Sequence, residues 1–280
     1  MSLFSSGLYI VSTPIGNLDD ITLRSLEVLK KSDIILCEDT RRTLKLLNHF
    51  NIKKKLISYH KFNEKKELSN TIEHLKEGKI LSLVSDAGTP ALSDPGLILI
   101  RKCIESDIKV FPIPGPSSIT ASMSVSSFDD KFLFYGFLPK KENELIKVLK
   151  KVKDLDFALV FFVSGIKINF YLTFFKEFFL DRDVMIAREI TKLHETFYRN
   201  SIMSLKPFKT PLKGELTIVI SKKYNNSNMI SNEDIKKQSI KYLKKYSLKD
   251  VVELIARKEK ISKKKVYEIC LKIKNDKKDT

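Results

Sequence analysis

The first 126 residues alternate short apolar segments with amphipathic ones, and this alternation constrains the fold more than any other feature of the chain. Short apolar runs between turn residues are typical of buried strands, whereas apolar residues at every third or fourth position are typical of helices. Strands that alternate with helices predict a mainly parallel sheet covered on both faces. The predicted strands are 8–12, 33–37, 55–58, 79–84 and 109–112, and the predicted helices are 22–31, 40–50, 64–77, 95–106 and 117–126.

A second part of the chain begins near residue 129 and predicts another α/β layer, with more antiparallel character. We therefore expect an N-terminal α/β domain at 1–127, a second α/β domain at 128–223 and a basic helical domain at 233–280. In the second part, the predicted strands are 132–136, 157–163, 184–189, 195–200 and 216–221, and the predicted helices are 141–151 and 166–179.

The tail follows a polar linker at 225–232 and predicts a small helical unit. Ser247 and Asp250 have the spacing of a capping box at the start of one helix, and Ser262 would cap a second helix. Two short helices joined by a tight turn resemble a helix-turn-helix, with the lysines at 263–265 where such folds contact nucleic acid. A simple helical cap with a solvated lysine face is the alternative.

The net charge of +17 is unevenly distributed, because residues 221–280 contain 18 basic and 8 acidic residues. A basic tail of this kind favours a polyanionic partner, most simply RNA. Lysine accounts for 43 of the 51 basic residues, as an AT-rich genome would also produce. Compositional drift is therefore the alternative to nucleic-acid binding.

Composition also excludes several classes of protein. Three widely spaced cysteines predict reduced thiols in a cytoplasmic protein rather than a disulfide framework. Four scattered histidines without a cysteine pair give no metal signature, so we expect no metal. The longest apolar run, 157–163, is too short to span a membrane, and the first residues lack the pattern of a signal peptide.

Glycine is scarce, with 9 in 280 residues, and most glycines fall where predicted strands end. A scarce glycine often serves a backbone requirement, either a positive φ or a close approach of the main chain. No G-x-G-x-x-G or Walker loop occurs, which argues against standard dinucleotide and P-loop binding. Four loops would instead line one crevice at the carboxyl edge of the sheet, suited to a polar, zwitterionic or nucleoside-like ligand. They are 13–18, 37–41, 113–118 and the signature loop, 84–96 (VSDAGTPALSDPG).

Seven motifs follow one another along the chain: STPIGNLDDIT, EDTRRT, VSDAGTPALSDPG, PIPGPSS, YGFLPKK, AREITK and KGE. In this order they resemble the ribosomal RNA small-subunit methyltransferase I family, a branch of the tetrapyrrole methylase fold. The resemblance covers roughly residues 7–221 and implies two α/β domains with S-adenosylmethionine between them, and a homodimer. It implies methylation of the ribose 2′-hydroxyl of a cytidine in the decoding centre of 16S rRNA, in the small ribosomal subunit.

The resemblance also implies which residues bind the cofactor. In the first domain they belong to the loop after the first strand, to the signature loop and to the segment at the start of the fifth helix. In the second domain they lie near the ends of three strands. The implied cofactor-binding residues are Pro14, Gly16, Asp86, Ala87, Gly88, Thr89, Pro90, Ser117, Thr120, Phe162, Ala187, Glu189, Gly214, Glu215 and Leu216.

One segment departs from the family pattern. Where the family usually has a Phe-Tyr-Glu-Ser-x-His-Arg run, this chain has FFVSGIK at 161–167. Val163, Ile166 and Lys167 replace a carboxylate, an imidazole and a guanidinium. Relaxed constraint, a shifted substrate, and side chains that are not required are three interpretations of this change.

A ribose hydroxyl is a weak nucleophile, so a base, or a cation that stabilises the alkoxide, would assist its attack. Structural roles are the alternative for three candidates: Asp39 could cap the following helix, and Glu189 could pair with Lys192. The candidate catalytic residues are Glu38, Asp39, Glu189 and Lys192, with Arg41 and Arg42 as phosphate or alkoxide partners.

Two other functions fit part of the sequence. A tetrapyrrole carbon methyltransferase would share the fold and the cofactor, although the basic tail and loop 38–42 suit RNA better than a porphyrinoid acid. A non-enzymatic RNA-binding relic would account for the departure at 163–167. Co-purification of a coloured tetrapyrrole would favour the first, and intact cofactor binding would argue against the second.

Overall fold

Five parallel strands form the first sheet of the computed structural model, which describes residues 4–223, 232–259 and 263–276. The strands are β1 (Gly7–Val11), β2 (Ile34–Cys37), β3 (Lys55–Ser58), β4 (Ile80–Val84) and β5 (Val110–Ile113). Their order is β3-β2-β4-β1-β5 and every pairing is parallel, so the carboxyl ends of all five strands meet at one edge. The helices that alternate with them are α1 (Leu23–Lys31), α2 (Thr40–His49), α3 (Glu64–Lys76), α4 (Leu97–Glu105) and α5 (Ser118–Ser126).

Helices cover both faces of the first sheet. All four residues of β2 are buried, because this strand lies inside the sheet with a helical layer on either side. Leu75 and Leu99 pack α3 and α4 on one face, and Val28 and Leu47 pack α1 and α2 on the other. The prediction of a parallel sheet covered on both faces is confirmed.

The second sheet is mixed. Its strands are β6 (Phe132–Phe137), β7 (Ala158–Ser164), β8 (Asp183–Arg188), β9 (Thr196–Ser201) and β10 (Glu215–Ile220). The order is β6-β7-β10-β8-β9, with only β6 and β7 parallel to each other. The predicted antiparallel character is therefore confirmed.

Helices also cover both faces of the second sheet. On one face, α6 (Glu142–Val152) and α7 (Ile168–Phe178) pack through Leu149 and Phe175. The other face receives α5, where Ile119 contacts a cluster that includes Val160 and Val219. Because α5 follows the last strand of the first sheet, this packing joins the two sheets.

The chain divides into two compact units, residues 1–223 and 224–280, and the first unit contains both sheets. The predicted strands and helices of this unit all occur, with ends that shift by no more than two residues. The predicted domain boundaries, 1–127, 128–223 and 233–280, stay predictions. Within the described ranges, no helix has the length and apolar character needed to cross a membrane.

In the second unit, the described residues form three helices: α8 (Asn232–Leu243), α9 (Leu248–Lys258) and α10 (Lys263–Asp276). They pack around Ile235, Ile255 and Val266. The predicted cap of α9 is confirmed, because the Ser247 hydroxyl accepts a hydrogen bond from the Asp250 amide at 3.3 Å. The predicted cap residue Ser262, linker residues 225–231 and the side chains of lysines 264 and 265 lie outside the described residues.

Sequence analysis did not single out α8 as a helix, and its composition explains why. Few of its residues are apolar, so the 3.6-residue periodicity is weak. The helix is held by a small number of buried contacts, among them Ile235 and a hydrogen bond of 3.3 Å between the Cys270 thiol and the Ser239 hydroxyl. Cys270, like Cys37 and Cys103, is a buried free cysteine.

Candidate active site

Three loops at the carboxyl edge of the first sheet are joined by hydrogen bonds. Thr13 and Gly88 exchange two backbone hydrogen bonds of 2.9 Å, which tie the loop after β1 to the signature loop. The hydroxyls of Ser12 and Thr89 lie 3.0 Å apart, and Thr89 also donates to the Pro116 carbonyl at 3.4 Å. Gly88 has a φ of +81°, a conformation that favours glycine.

The fourth loop, after β2, joins them through Asp86. One carboxylate oxygen of Asp86 accepts the Asp39 amide at 3.1 Å, and the other pairs with Arg42 at 3.2 Å. Asp39 itself caps α2, accepting the Arg41 amide at 2.9 Å and the Arg41 guanidinium at 2.7 Å. These bonds hold the pKa of Asp39 well below its usual range. Asp39 therefore makes the helix-capping contact that was the alternative to a catalytic role.

A cleft opens between these loops and the second sheet. It contains about 820 Å³ of empty space, part of it open solvent. The first-sheet loops contribute Ile15, Ala87, Gly88, Thr89, Leu92, Asp94, Ser117, Ser118 and Ile119, and the second sheet and its loops contribute Phe137, Phe162, Ala187, Glu189, Ile190, Lys192, Glu215, Leu216 and Thr217.

Nine of the residues that sequence analysis assigned to the cofactor line this cleft. The other six, including Thr120 and Pro90, lie outside its lining. Gly16 lies against the 190–192 segment and Gly214 against the Glu189 carboxylate. The nine residues in the lining are Ala87, Gly88, Thr89, Ser117, Phe162, Ala187, Glu189, Glu215 and Leu216; the six outside it are Pro14, Gly16, Asp86, Pro90, Thr120 and Gly214.

Sequence analysis did not select eight further residues that line the cleft. Leu92 and Asp94 belong to the signature loop, so their position there was an available signal. Ile15 and Ser118 belong to two of the other predicted crevice loops. Ile119 and Thr217 lie outside these loops and gave no such signal, because a core side chain and a ligand contact look alike in sequence. The eight are Ile15, Leu92, Asp94, Ser118, Ile119, Phe137, Ile190 and Thr217.

The loop after β8 closes one side of the cleft and contacts the loop after β1. Glu189 has a φ of +52°, and its carboxylate pairs with the Lys192 ammonium at 3.1 Å. This pair is the one that sequence analysis considered as an alternative, and both partners line the cleft. Thr191 accepts the Asn17 amide at 3.0 Å, so the two loops form one wall.

The cleft has an acidic side around Asp94. Burial, followed by the nearby charges of Glu38, Asp86 and Glu215, raises the pKa of Asp94 to about 6. Burial and the charge of Asp86 also raise the pKa of Glu38, which lies outside the cleft lining. Carboxylates in such a group disfavour one another's charge, so a cationic ligand in the cleft would relieve their repulsion.

The raised pKa of Asp94 makes the free energy of unfolding depend on pH. Folded Asp94 keeps its proton up to about pH 6, against an ordinary pKa of 3.8, so the folded state loses stability as pH rises through this interval. As pH rises from about 4 to about 7.5, the unfolding free energy of Asp94→Asn is expected to increase by about 1 to 3 kcal/mol relative to that of the unsubstituted protein. Urea unfolding at both pH values measures the gain, with Asp107→Asn, at an exposed turn, as the control. A difference that stays constant with pH would contradict the assignment.

The residues of the cleft fit a sulfonium nucleoside such as S-adenosylmethionine. Phe137 and Phe162, with ring centroids 5.2 Å apart, and Ile190 offer an apolar surface for a base. Asp94 and Glu215 offer negative charge to the cationic part. Among the residues that the structure describes, no three potential metal ligands are grouped together.

The three replacements at 163–167 all lie away from the cleft lining. Val163 is buried in the core of the second sheet, on a strand that pairs with β10. Ile166 is exposed, and the Lys167 ammonium lies 5.9 Å from the ring of Phe170. None of the three residues that depart from the family pattern therefore lines the cleft.

Comparisons with known proteins agree on a single family. The sequence model of the tetrapyrrole (corrin/porphyrin) methylases matches residues 7–206. A protein named ribosomal RNA small subunit methyltransferase I from Thermotoga maritima is 46% identical over 220 residues, covering 77% of this chain and 98% of that protein. The protein of the same name from Buchnera aphidicola is 41% identical over 273 residues, covering 95% and 96%. A third, from Rickettsia prowazekii, is 38% identical over 289 residues, covering 97% and 99%.

Solved structures share the fold at low sequence identity. The methyltransferase CobJ aligns with a TM-score of 0.59 and 14% identity, covering 78% of this chain and 95% of its own. Diphthine synthase aligns with a TM-score of 0.60 and 15% identity, covering 76% and 89%. At this identity the likeness shows the architecture alone.

Proposed function

Because this chain belongs to the ribosomal RNA small subunit methyltransferase I family and has the tetrapyrrole methylase fold, we propose that it transfers a methyl group from S-adenosylmethionine to 16S rRNA. The observation that carries the proposal is the cleft between the two sheets, which the signature loop lines with Ala87, Gly88 and Thr89. The finer assignment, to the ribose 2′-hydroxyl of a cytidine in the decoding centre, follows from the family resemblance. We further propose that it acts in the cytoplasm.

The cofactor, when bound, supplies an electrophilic methyl group on a sulfonium. The chain's own groups then have to hold the acceptor hydroxyl in line and remove its proton. Asp94 is the carboxylate best suited to accept that proton, because it faces the cleft and its pKa of about 6 is near neutrality. The Lys192 ammonium, also in the lining, is placed to stabilise the developing alkoxide. Asp39 caps α2 and is paired with Arg41, so Asp39 takes a structural part in this proposal.

Asp86 positions two loops rather than lining the cleft, and we expect Asp86→Ala to lower turnover by about 100-fold or more. The substitution removes the bonds to the Asp39 amide and to Arg42, which tie the loop after β2 to the signature loop. Asp33→Ala is a matched control, because the Asp33 carboxylate accepts the Ile80 amide at 2.8 Å and joins the same two strands at the opposite edge. Near-normal turnover in Asp86→Ala, or an equal loss in Asp33→Ala, would overturn this positioning role.

The proposal includes two macromolecular interactions, RNA binding by the second unit and formation of a homodimer. The basic helical unit, residues 224–280, is proposed to contact RNA because basic residues outnumber acidic ones in it. A homodimer is proposed from the family resemblance, with exposed aromatic side chains on the edge strand β6, Phe132 and Tyr135, as its support in this structure. Analytical ultracentrifugation tests the dimer, and a concentration-independent monomer would exclude it.

The acceptor is tested by offering labelled S-adenosylmethionine with three acceptors in parallel: small ribosomal subunits that lack ribose methylation, free 16S rRNA, and a reduced tetrapyrrole. Label in either RNA acceptor supports the proposal, and the better acceptor of the two shows whether assembly is required. Label in the tetrapyrrole alone would favour the carbon methyltransferase. No transfer and no cofactor binding by calorimetry would favour the non-enzymatic relic.

A further inference from the structure

Phe62 is 94% exposed, on the turn that follows β3. The turn is fixed by three hydrogen bonds. The His60 amide donates to the Asn63 side chain at 2.7 Å, the Asn63 amide group donates to the Ser58 carbonyl at 2.9 Å, and the Phe62 amide donates to the His60 ring at 3.2 Å. An aromatic ring held in water by an ordered turn presents a flat apolar face on which a planar group can stack.

The turn lies at the same edge of the first sheet as the cleft. β3 is a parallel strand separated from β4 only by β2, so its carboxyl end is about 10 Å from the signature loop. The Gly96 amide, at the end of that loop, donates to the Glu64 carboxylate at 3.4 Å. Phe62 is thus attached through its own turn to the loop that lines the cleft.

Exposed basic side chains occur in the same turn as the ring and after the neighbouring strand. The side chains of Arg41 and Arg42, in the first turn of α2 after β2, are 84% and 66% exposed and pair with Asp39 and Asp86. Lys61 and Lys65 are exposed on either side of Phe62 along the chain. Exposed cations around an aromatic face are the combination that single-stranded nucleic acid recognises, by base stacking and phosphate contact.

We propose that Phe62 is a stacking platform for an unpaired RNA base, with Lys61 and Arg41 holding the adjoining phosphates. The proposal rests on the proposed function and specifies how the RNA reaches the cleft.

The size of one relative supports an RNA surface in the first unit. The Thermotoga maritima protein is matched over 98% of its length by 220 residues of this chain, too few for both units. A protein of that size, named as a ribosomal RNA methyltransferase, has to recognise RNA without a counterpart of the whole second unit. The rim formed by the loops after β2 and β3 is available for this purpose.

The test measures binding of a fluorescently labelled single-stranded RNA oligonucleotide to the full chain by anisotropy, over a series of salt concentrations. We expect Phe62→Ala to weaken binding about tenfold at every salt concentration, because stacking does not release counterions. We expect Lys61→Ala to weaken binding less and to lower the salt slope by about 1. Phe62→Trp should restore the affinity.

Phe157→Ala is the matched control, because Phe157 is also an exposed phenylalanine. It precedes β7, whereas Phe162, which lines the cleft, lies near the other end of that strand. Equal affinity for Phe62→Ala and Phe157→Ala would overturn the proposal, as would a loss in Phe62→Ala that Phe62→Trp fails to restore. Calorimetric binding of S-adenosylmethionine to Phe62→Ala separates the two claims. Normal cofactor binding with weakened RNA binding supports the platform. Loss of both would attribute the weaker RNA binding to a damaged fold and would overturn the stacking role of Phe62.

Discussion

Replacing Arg182 by methionine is expected to lower the unfolding free energy by about 3 to 5 kcal/mol. Arg182 is fully buried, and its guanidinium donates to the carbonyls of Ser221 at 3.1 Å, Leu155 at 3.0 Å, Lys153 at 2.5 Å and Phe157 at 3.4 Å. Methionine fills much of the volume but leaves these carbonyls without their donor. Because they belong to segments before β7 and after β10, their loss would loosen one end of the second sheet.

Urea unfolding followed by circular dichroism measures this effect. Arg101→Met, on the exposed side of α4, is the matched control, with an expected change within about 0.5 kcal/mol. Arg182→Lys keeps the charge but not the planar fork, so we expect it to recover only part of the loss. If Arg182→Met and Arg101→Met unfolded at the same urea concentration, the buried guanidinium would have no stabilising role.

Replacing Gly16 by alanine is expected to weaken S-adenosylmethionine binding at least about tenfold while the fold persists. A Cβ at this position would lie 2.5 Å from the Lys192 Cγ, 2.7 Å from the Thr191 hydroxyl and 2.8 Å from the Ile190 carbonyl. One of these contacts is with backbone, so the loop after β8 has to move away. Ile190 and Lys192 line the cleft, so that movement would open its wall.

Calorimetric titration with the cofactor measures this loss. Gly78→Ala is the control, because a Cβ there meets nothing within 4 Å, although the φ of +82° disfavours alanine. We expect that control to lose about 1 kcal/mol of stability and no cofactor affinity. Unchanged affinity in Gly16→Ala would show that the close approach of the two loops does not shape the site.

The local pattern of apolar and polar residues was enough to predict the strands and helices of the first unit. β2 and β4 read as buried strands because both faces of the sheet are covered, so nearly every residue in them is apolar. The convergence of the four loops also followed, since the carboxyl ends of parallel strands share an edge. The backbone hydrogen bonds between Thr13 and Gly88 directly join two of these four loops.

Features that depend on packing between distant segments were not accessible from pattern. The position of α5 against the second sheet places Ile119 in the cleft, and no local signal separates such a residue from core. The raised pKa of Asp94 arises from burial and from three carboxylates, of which Asp86 lies in the same loop whereas Glu38 and Glu215 are distant in sequence. Helix α8 escaped notice because three-helix packing rather than amphipathicity holds it.

The most direct test of the central claim maps the methyl group. Small ribosomal subunits that lack ribose methylation are incubated with labelled S-adenosylmethionine and the protein, and the RNA is then digested with nucleases and analysed by mass. We predict label on the 2′-oxygen of a single cytidine ribose, absent when Asp86→Ala replaces the unsubstituted protein. Label on a base, on several unrelated nucleotides, or on no RNA while the cofactor still binds would contradict the assignment.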